Sequence, residues 1–587
     1  MDRRRTFAKP CVPWGGSRRQ WLQGVGAATV AAWLPNLGGD LGGAPAGRRD
    51  RPPAFPAGIP VQPQPFRNWS GEIRIPAVWT AMPRQAQEVV AIANWAHGQG
   101  WRVRPLGRSH GWAPLLVTGG GCASGYLLVD TRHLDRVTLQ ADRLPATVTA
   151  QTGVTLDALL AQLEEARLGF AAVPAPGDLS LGGALAVDGH GTALPARGET
   201  PLPGQTFGSL ANAVLSLTAV VWDGQRYALR TFRRDEPGIQ PLLVHAGRAF
   251  ITEATLQVAA DQNLRCQSRM DIPADELFAP PGEAGPRAFG AWVEACGRVE
   301  AIWFPFAGAP WLKVWSLAPL RPWSSRALAE PYAYSFANWV TPAQDQFVQE
   351  LILGRPTGTP TFQVLEQGAV AAGLTVTDTW DLWGPARRTL LYVKPSTLRQ
   401  AECGYAVLTS RSNIQRVVSE YYQAYAGLVA RYQSRGQFPM NGAVEIRVTG
   451  LDQAGEVLLP GALEPQLSAL RPWPGRPDWD CAVWLDALTC PGTPGELVFK
   501  TELEAWLLAN YTGAYAGVRV EWAKGWGYTE AGAWTSPGVL DRTIPDSFAG
   551  RPGDDWPAAL AALDATDPAR IFSNPFLDRL MPRSPAT

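Results

Sequence analysis

The chain has 587 residues, with 52 basic and 52 acidic side chains, no net charge and 25 tryptophans. That length accommodates two or more domains with sizeable cores, and a charged fraction of only 18% argues for large buried apolar surfaces rather than disorder. With no excess of positive charge, the chain lacks the electrostatic footprint of a DNA- or RNA-binding protein.

In chain order, the first expected element is a targeting segment over residues 1–46. "SRRQWLQGVGAATVAAWLP" pairs Arg18 with Arg19 ahead of an apolar run, and "APA" at 44–46 suits a small-residue cleavage site. The run is too short to span a bilayer, and it resembles a twin-arginine signal, the export route for proteins that fold first. Residues 47–67 are rich in Pro and Gly and read as a linker. No later stretch reaches transmembrane length, so a soluble, secreted or periplasmic protein is expected.

From 68 to 265, helical and strand-like segments alternate. "PRQAQEVVAIANWAHGQG" places Val89, Val90, Ala93 and Ala96 at helical spacing and stops at glycine. "WRVRPL" is a strand running into Gly107, "ATVTAQTGV" a strand and turn, and "TLDALLAQLEEARLGF" a helix capped by Thr155. "TAVVWDGQRYALRTF" is a hairpin around Asp223-Gly224. From 266 to 525 the texture changes. "WFPFAGAPWLKVWSL" is aromatic and strand-like, and "RSNIQRVVSEYYQAYAGLVARYQSRG" is a long helix with Val417, Val418, Tyr421, Tyr422, Tyr425, Leu428 and Val429 on one face. "GAVEIRVTGLDQ" and "DWDCAVWLDALT" alternate as strands. The expected class is α+β, with antiparallel sheet and flanking helices in the second domain. Residues 526–587 are expected to return to the first domain.

Seven cysteines show no C-x-x-C spacing, and a strand between Cys481 and Cys490 would hold them beyond disulfide range. No metal site is expected. The run "RPLGRSHGWAP" (104–114) allows two readings. It spells G-x-S-x-G, the nucleophile elbow of a Ser109 hydrolase, but that elbow needs a helix directly after it, and "WAPLLVTGGGCASG" is a poor one. Alternatively, its small residues free backbone N–H groups to face an anion such as a pyrophosphate. "PAPGDLSLGGALAVDGHGTALP" (174–195) is a second such stretch. Neither a G-x-G-x-x-G nor a P-loop pattern occurs, which leaves open two separate cradles for a dinucleotide or, for either loop alone, a plain surface turn.

The first loop resembles the pyrophosphate loop of the vanillyl-alcohol oxidase family of FAD enzymes, the second that family's other FAD loop, and "HAGRAFITEATLQV" (245–258) its closing strand. Within that family, "RPLGRSHGWAPL", "PAPGDLSLGGALAVDGHGTALP", "FGSLANAVLSLTAVVWDG", "EAIWFPF", "NGAVEIRVTGLDQ", "EWAKGW" and "DPARIFSNPFLDRL" resemble the bacterial class II cholesterol oxidases, whose flavin is covalently bound. The likeness runs from about residue 60 to 582. It implies a PCMH-type FAD-binding domain followed by a substrate domain, with FAD attached through His110. It also implies FAD contacts at Gly107, Arg108, Ser109, Gly111, Asp178, Ser180, Gly182, Gly183, His190, Ile251 and Asn574.

All five histidines precede residue 246, so a base from the second domain cannot be histidine. In "AVEIRV", Glu445 and Arg447 are two apart on a strand and share one face, opposite Val444, Ile446 and Val448. From spacing alone this is either a surface pair or a base beside a charge stabiliser; the resemblance favours the second. It also implies roles for Glu300, paired with Arg447 and linked to oxygen entry, and for Lys524 beside the flavin. One position departs from the family pattern: Asp486 in "WLDAL" stands where the related enzymes have Asn, so it is expected to be protonated or paired with a cation such as Lys524, or else the local roles have shifted.

The implied function is oxidation of the C3 hydroxyl of cholesterol or a related 3β-hydroxysterol, with dioxygen as acceptor, giving the 4-en-3-one and hydrogen peroxide. Transient contact with lipid surfaces is compatible, and no protein partner is implied. An FAD oxidase or dehydrogenase of a sugar or other alcohol, the Ser109 hydrolase and a non-catalytic sterol carrier remain as alternatives.

Overall fold

The computed structural model describes residues 51–118, 125–338, 342–550 and 552–583. The leader, its cleavage site, Cys11 and Cys122 lie outside the described residues. Three sheets organise the rest. The first has four strands in the order β1-β2-β4-β3: β1 (Val61–Arg67), β2 (Arg74–Ala81), β3 (Arg102–Leu106) and β4 (Tyr126–Asp130). The β1/β2 pair is antiparallel, and β2 and β3 each pair parallel with β4. The second sheet is antiparallel and holds β5 (Val137–Gln140), β6 (Ala146–Gln151), β7 (Leu168–Gly169), β8 (Val214–Trp222), β9 (Tyr227–Arg233) and β10 (Phe250–Ala260), with β10 between β6 and β8.

The third sheet has nine strands in the order β14-β15-β11-β13-β12-β17-β18-β16-β19. They are β11 (Asn263–Arg269), β12 (Arg298–Trp303), β13 (Trp311–Leu317), β14 (Arg326–Ala327), β15 (Asp381–Pro385), β16 (Ala401–Thr409), β17 (Val444–Gly450), β18 (Cys481–Thr489) and β19 (Ala516–Val520). One hydrophobic core runs from the second sheet into the third, taking in Val148 and Leu256 as well as Val444 and Leu485. This is the expected α+β class.

The expected linker is shorter than its composition suggested, because residues 61–67 form β1. The strand carries Pro63 and Pro65, which cannot donate to a ladder, and it sits where prolines are tolerated, at the sheet edge. Helices follow from apolar spacing. In α1 (Ala86–Gln99), Val89, Ile92, Ala93 and Ala96 are buried, and Gly100 closes the helix in the left-handed region. In α2 (Leu156–Glu165), Leu156, Leu159, Leu160 and Leu163 face the core, and Thr155 Oγ1 accepts the Ala158 N–H. Ser180 caps the short α3 (Leu181–Ala186) in the same way.

Sequence periodicity did not disclose α4 (Pro342–Gly354), α5 (Thr359–Thr377) or α7 (Glu496–Asn510). The α5 sequence interrupts its apolar spacing with threonines and with Gly368 and Gly373. The expected long helix is α6 (Ile414–Gln433), with Val417, Val418, Tyr421 and Tyr425 buried and Tyr422, Leu428 and Val429 half-buried. The aromatic stretch 303–317 holds the end of β12, a turn and β13 rather than one continuous run. Among the described residues five cysteines, Cys481 and Cys490 among them, form no disulfide, and no helix is long and apolar enough to cross a membrane.

Two features position the site. The second loop is stitched to the nine-stranded sheet: Ala193 N–H donates to Val448 O at 2.9 Å, Gly450 N–H to Ala193 O at 3.1 Å, and Thr192 Oγ1 to Val299 O at 2.7 Å. The first loop is propped by a segment far along the chain. Asn574, in the loop before α8 (Pro575–Leu580), donates from its amide to Pro114 O at 3.0 Å and Leu115 O at 3.2 Å, and its Oδ1 accepts the Leu577 N–H. Arg104 of β3 is wholly buried and donates to the carbonyls of Leu115, Leu116 and Phe572. Replacing Asn574 with Ala removes a helix cap and takes the amide donor from the buried Pro114 carbonyl, while Leu115 O keeps Arg104. A loss of about 2 kcal/mol is therefore expected, read as a lower thermal midpoint.

Candidate active site

A cavity of about 480 Å³ lies between the two cradle loops and the nine-stranded sheet. On its first wall the chain leaves β3 and turns through Gly107–Gly111, with Ser109 in the left-handed region (φ 58°). None of the five N–H groups from Gly107 to Gly111 donates a hydrogen bond within the described residues. Gly107 is required by close approach, since a Cβ there would collide with Ser180 Oγ across the junction with the second loop. Free amides in a cramped, side-chain-poor turn suit a dinucleotide pyrophosphate, so the residues present fit FAD. Arg108, Gly182, Gly183 and Ile251 also line this part of the cavity.

His110 projects from that loop with its ring plane fixed. It stacks on Trp69, with centroids 4.3 Å apart and planes at 21°, and its Nε2 lies 2.9 Å from Asp178 Oδ2. Burial pushes the Asp178 carboxyl up, but the hydrogen bond and charge of His110 outweigh it and hold the acid below its ordinary value. Asp178 therefore stands behind the histidine rather than on the cavity wall. The elbow reading of Ser109 fails here, because no helix follows it before β4 among the described residues.

The opposite wall is one face of the nine-stranded sheet. Register places Lys313, Glu300, Arg447 and Trp484 side by side across β13, β12, β17 and β18. In the next row Ile302, Glu445, Asp486 and Gly404 lie abreast. The two-residue period of the strands puts both rows on the same face, so the expected pairing of Glu445 with Arg447 is present, with three further titratable groups beside it. Arg447 Nε donates to Glu300 Oε1 at 2.8 Å, Nη1 to Asp486 Oδ2 at 3.2 Å, and Nη2 to Glu445 Oε2.

The surroundings separate the acids. Burial pushes Glu300 up, yet the charges of Arg447 and Lys313 and the Tyr392 hydroxyl, which donates to Glu300 Oε2 at 2.5 Å, keep it below its usual value and ionised. Glu445 goes the other way. Burial raises it to about 7, Arg447 pulls against the shift, and the nearby Glu402 and Glu300 add to it. Its side chain keeps 22% exposure, all that Arg447 and the sheet leave open, and it lines the cavity.

Asp486 is wholly buried and does not line the cavity. Burial, then the charge of Glu521, push its carboxyl well above the usual range. The crowding is geometric: a Cβ at Gly404 would lie 2.5 Å from Asp486 Oδ1 and 2.8 Å from Glu521 Oε2. Oxygens of Glu402, Glu445 and Asp486 also lie within 4.8 Å of one another. Of the two expected solutions for Asp486, cation pairing is met by Arg447 rather than Lys524, at 3.2 Å, while burial and Glu521 favour the neutral form of the acid. Lys524 is taken by Glu402, at 2.5 Å, and faces Glu521 at 3.9 Å. Glu521, held down to about 2 against burial by Lys524 and His190, is ionised. His190 lies flat on Trp484, centroids 3.7 Å apart, with Nε2 3.6 Å from Glu521.

Thus the structure gathers His110, His190, Glu300, Glu445, Arg447 and Lys524 around one cavity. Asp178 and Asp486 stand directly behind it. Asn574 supports the first loop from outside the cavity lining, with its amide spent on main-chain carbonyls. Sequence reasoning missed Glu402, Glu521, Lys313 and Tyr392; only Glu521, three residues before Lys524, was signalled by spacing.

Comparison with known proteins gives the following. Residues 263–582 match the family described as cholesterol oxidase, substrate-binding, and residues 79–229 match an FAD binding domain. A solved solvent-stable cholesterol oxidase is 50% identical, with a TM-score of 0.88 over 90% of this chain and 99% of its own. The cholesterol oxidase from B. sterolicum is 41% identical, with a TM-score of 0.88 over 91% of this chain and 99% of its own. The L-gulono-1,4-lactone dehydrogenase of Mycobacterium tuberculosis is 29% identical over 164 residues, 28% of this chain. The chain spans about a third of the length of that curated relative.

The state of Asp486 has a consequence for stability. A carboxyl raised on folding costs nothing below the unfolded value near 4, where both states are protonated. The cost grows as pH rises toward the folded value, because the unfolded chain alone ionises. Asp486→Asn keeps a neutral donor in place and removes that cost. Its thermal midpoint at pH 7 is expected to exceed the parent's by roughly a few degrees, with the difference vanishing by about pH 4.

Proposed function

Since the chain belongs to the cholesterol oxidase family, we propose that it oxidises the C3 hydroxyl of cholesterol and related 3β-hydroxysterols, with Glu445 as base and FAD attached covalently through His110. The observation that carries this reading is the pairing of Glu445 and Arg447 on one cavity wall, opposite the unpartnered amides and fixed histidine of the first loop. What FAD supplies when bound is an acceptor for the carbinol hydride and a route for those electrons to dioxygen, which leaves as hydrogen peroxide.

The chain's own part is proton handling and placement. A carboxyl raised to about 7 by burial is close to the value that best serves proton transfer near neutrality. Glu445 in its ionised form takes the hydroxyl proton, and Arg447, already on its Oε2, fixes the carboxylate's orientation. After oxidation the same group can carry the proton from C4 to C6 that gives the 4-en-3-one. Aromatic and aliphatic side chains at Ile302, Trp311, Trp315, Leu390 and Tyr392 line the rest of the cavity, which suits a rigid lipid with one polar end. Asp486 in its neutral form does what the family's Asn would do: it adds no negative charge beside a reduced flavin.

Attachment through His110 is favoured by its hydrogen bond. With Nε2–H donated to Asp178, the lone pair resides on Nδ1, which leaves that nitrogen as the nucleophile. Export by the twin-arginine-like leader completes the reading, and the exposed Leu320 and Trp323 of one loop support transient contact with lipid surfaces.

Acid precipitation of the holoprotein tests the attachment. Flavin colour is expected in the pellet of the wild type and in the supernatant of His110→Ala; colour in the wild-type supernatant would remove His110 from its role. Glu445→Gln is expected to slow flavin reduction by cholesterol by about 10²–10⁴-fold in anaerobic stopped flow. A reduction rate within a few-fold of the wild type would exclude Glu445 as the base.

A further inference from the structure

Behind Glu300, on the side away from Arg447, sits a second cation. Lys313 of β13 is wholly buried. Its Nζ makes no hydrogen bond and lies 3.9 Å from Glu300 Oε2. Aromatic rings surround it: Tyr392 at 2.9 Å from Nζ to the ring centroid, Tyr334 at 4.5 Å, Trp315 at 4.9 Å and Trp311 at 5.4 Å. A lysine in a dry cage without a hydrogen-bond acceptor is costly, and cation–π contacts compensate only part of that cost. What remains to hold its charge is Glu300.

We propose that Lys313 is a positioning residue for the oxidation: it shares the Glu300 carboxylate with Arg447, and so leaves more of the guanidinium's charge available to Glu445. The inference rests on the reading of Glu445 as base. Three groups in a line, Lys313, Glu300 and Arg447, then alternate in sign across β13, β12 and β17, and the strength of each contact depends on the next.

The charged and titratable groups that face Lys313 come from every element packed on it. They are Cys266 of β11, Glu300 of β12, Glu445 and Arg447 of β17, and the flanking Tyr334 and Tyr392. Burial pushes the Cys266 thiol up to about 11 and both phenols well above their usual value, so none of the three is negative at neutral pH. Glu300 and Glu445 are the carboxylates that Lys313 serves. Burial lowers the Lys313 ammonium to about 8, against the pull of Glu300, so the amine is charged over the range in which Glu445 titrates. Removing that charge makes the potential at Glu445 more negative and ties Arg447 more closely to Glu300. Both effects disfavour the carboxylate form of Glu445 and raise its pKa.

The test is the pH dependence of kcat/KM for cholesterol in the flavin-loaded enzyme, with the thermal midpoint recorded for each variant. The wild type is expected to gain activity through a limb near pH 7 that Glu445→Gln abolishes. Lys313→Met should move that limb to higher pH by about half a unit or more, while Lys313→Arg, which keeps the charge, should leave it near the wild-type position. If Lys313→Met does not accumulate as folded flavoprotein, Lys313→Gln is measured in its place. A limb that Glu445→Gln abolishes but that stays put in the folded neutral variant overturns the role of Lys313 alone. A limb that persists in Glu445→Gln overturns the base assignment, and this inference with it. A lysine that served only to fill the cage would change the thermal midpoint and not the limb.

Discussion

Arg447 has three carboxylates to satisfy and one guanidinium with which to do it. Its nitrogens reach Glu300, Glu445 and Asp486 in separate directions, in a sheet interior where an unpaired charge would cost several kcal/mol. The arrangement is possible because Asp486, buried and crowded by Glu521, is in surroundings that favour its neutral form. Glu300 remains ionised because it has donors on both sides. Glu445 is left between these extremes, close enough to neutrality to gain and lose a proton. The acids therefore differ in state because their neighbours differ, and Arg447 is the neighbour they share.

The sheet makes this possible geometrically. Adjacent strands place side chains about 5 Å apart across the ladder, so the residues abreast of Arg447 are set by register and not by loop conformation. The cofactor loops, by contrast, owe their shape to what holds them from behind. Thr192 and Ala193 are bonded into β12 and β17, and the first loop is bonded to Asn574 and Arg104. The charged wall is thus built on the rigid sheet, while the cradle opposite it is assembled from separate parts of the chain.

How far this could be read from the sequence follows from the same distinction. The pairing of Glu445 with Arg447 was legible because strand period alone puts residues two apart on one face. The helix around Leu156–Leu163 was legible from its leucine spacing, and the cradle loops from their run of small residues. By contrast, Lys313 and Glu402 joined the site through strand register, and Tyr392 through a loop outside any strand, about which spacing is silent. Proline content disguised β1 as linker, since the edge position that tolerates Pro63 and Pro65 is a property of the assembled sheet. The threonines and glycines of α5 hid a helix whose Gly373 makes room for the ring of Phe336.

The support given to the first loop has a consequence for the order of events in biosynthesis. The amide that holds the Pro114 carbonyl belongs to a residue 460 positions further along, and Phe572 reaches Arg104 across a comparable interval. A ribosome finishes the flavin cradle's own residues long before it makes their props. A nascent chain consequently cannot present the completed cradle, and capture of the cofactor must wait until synthesis is nearly over. Tight loading then becomes a report on whole-chain folding, since truncations near residue 570 would remove the props while leaving every residue of the two loops in place.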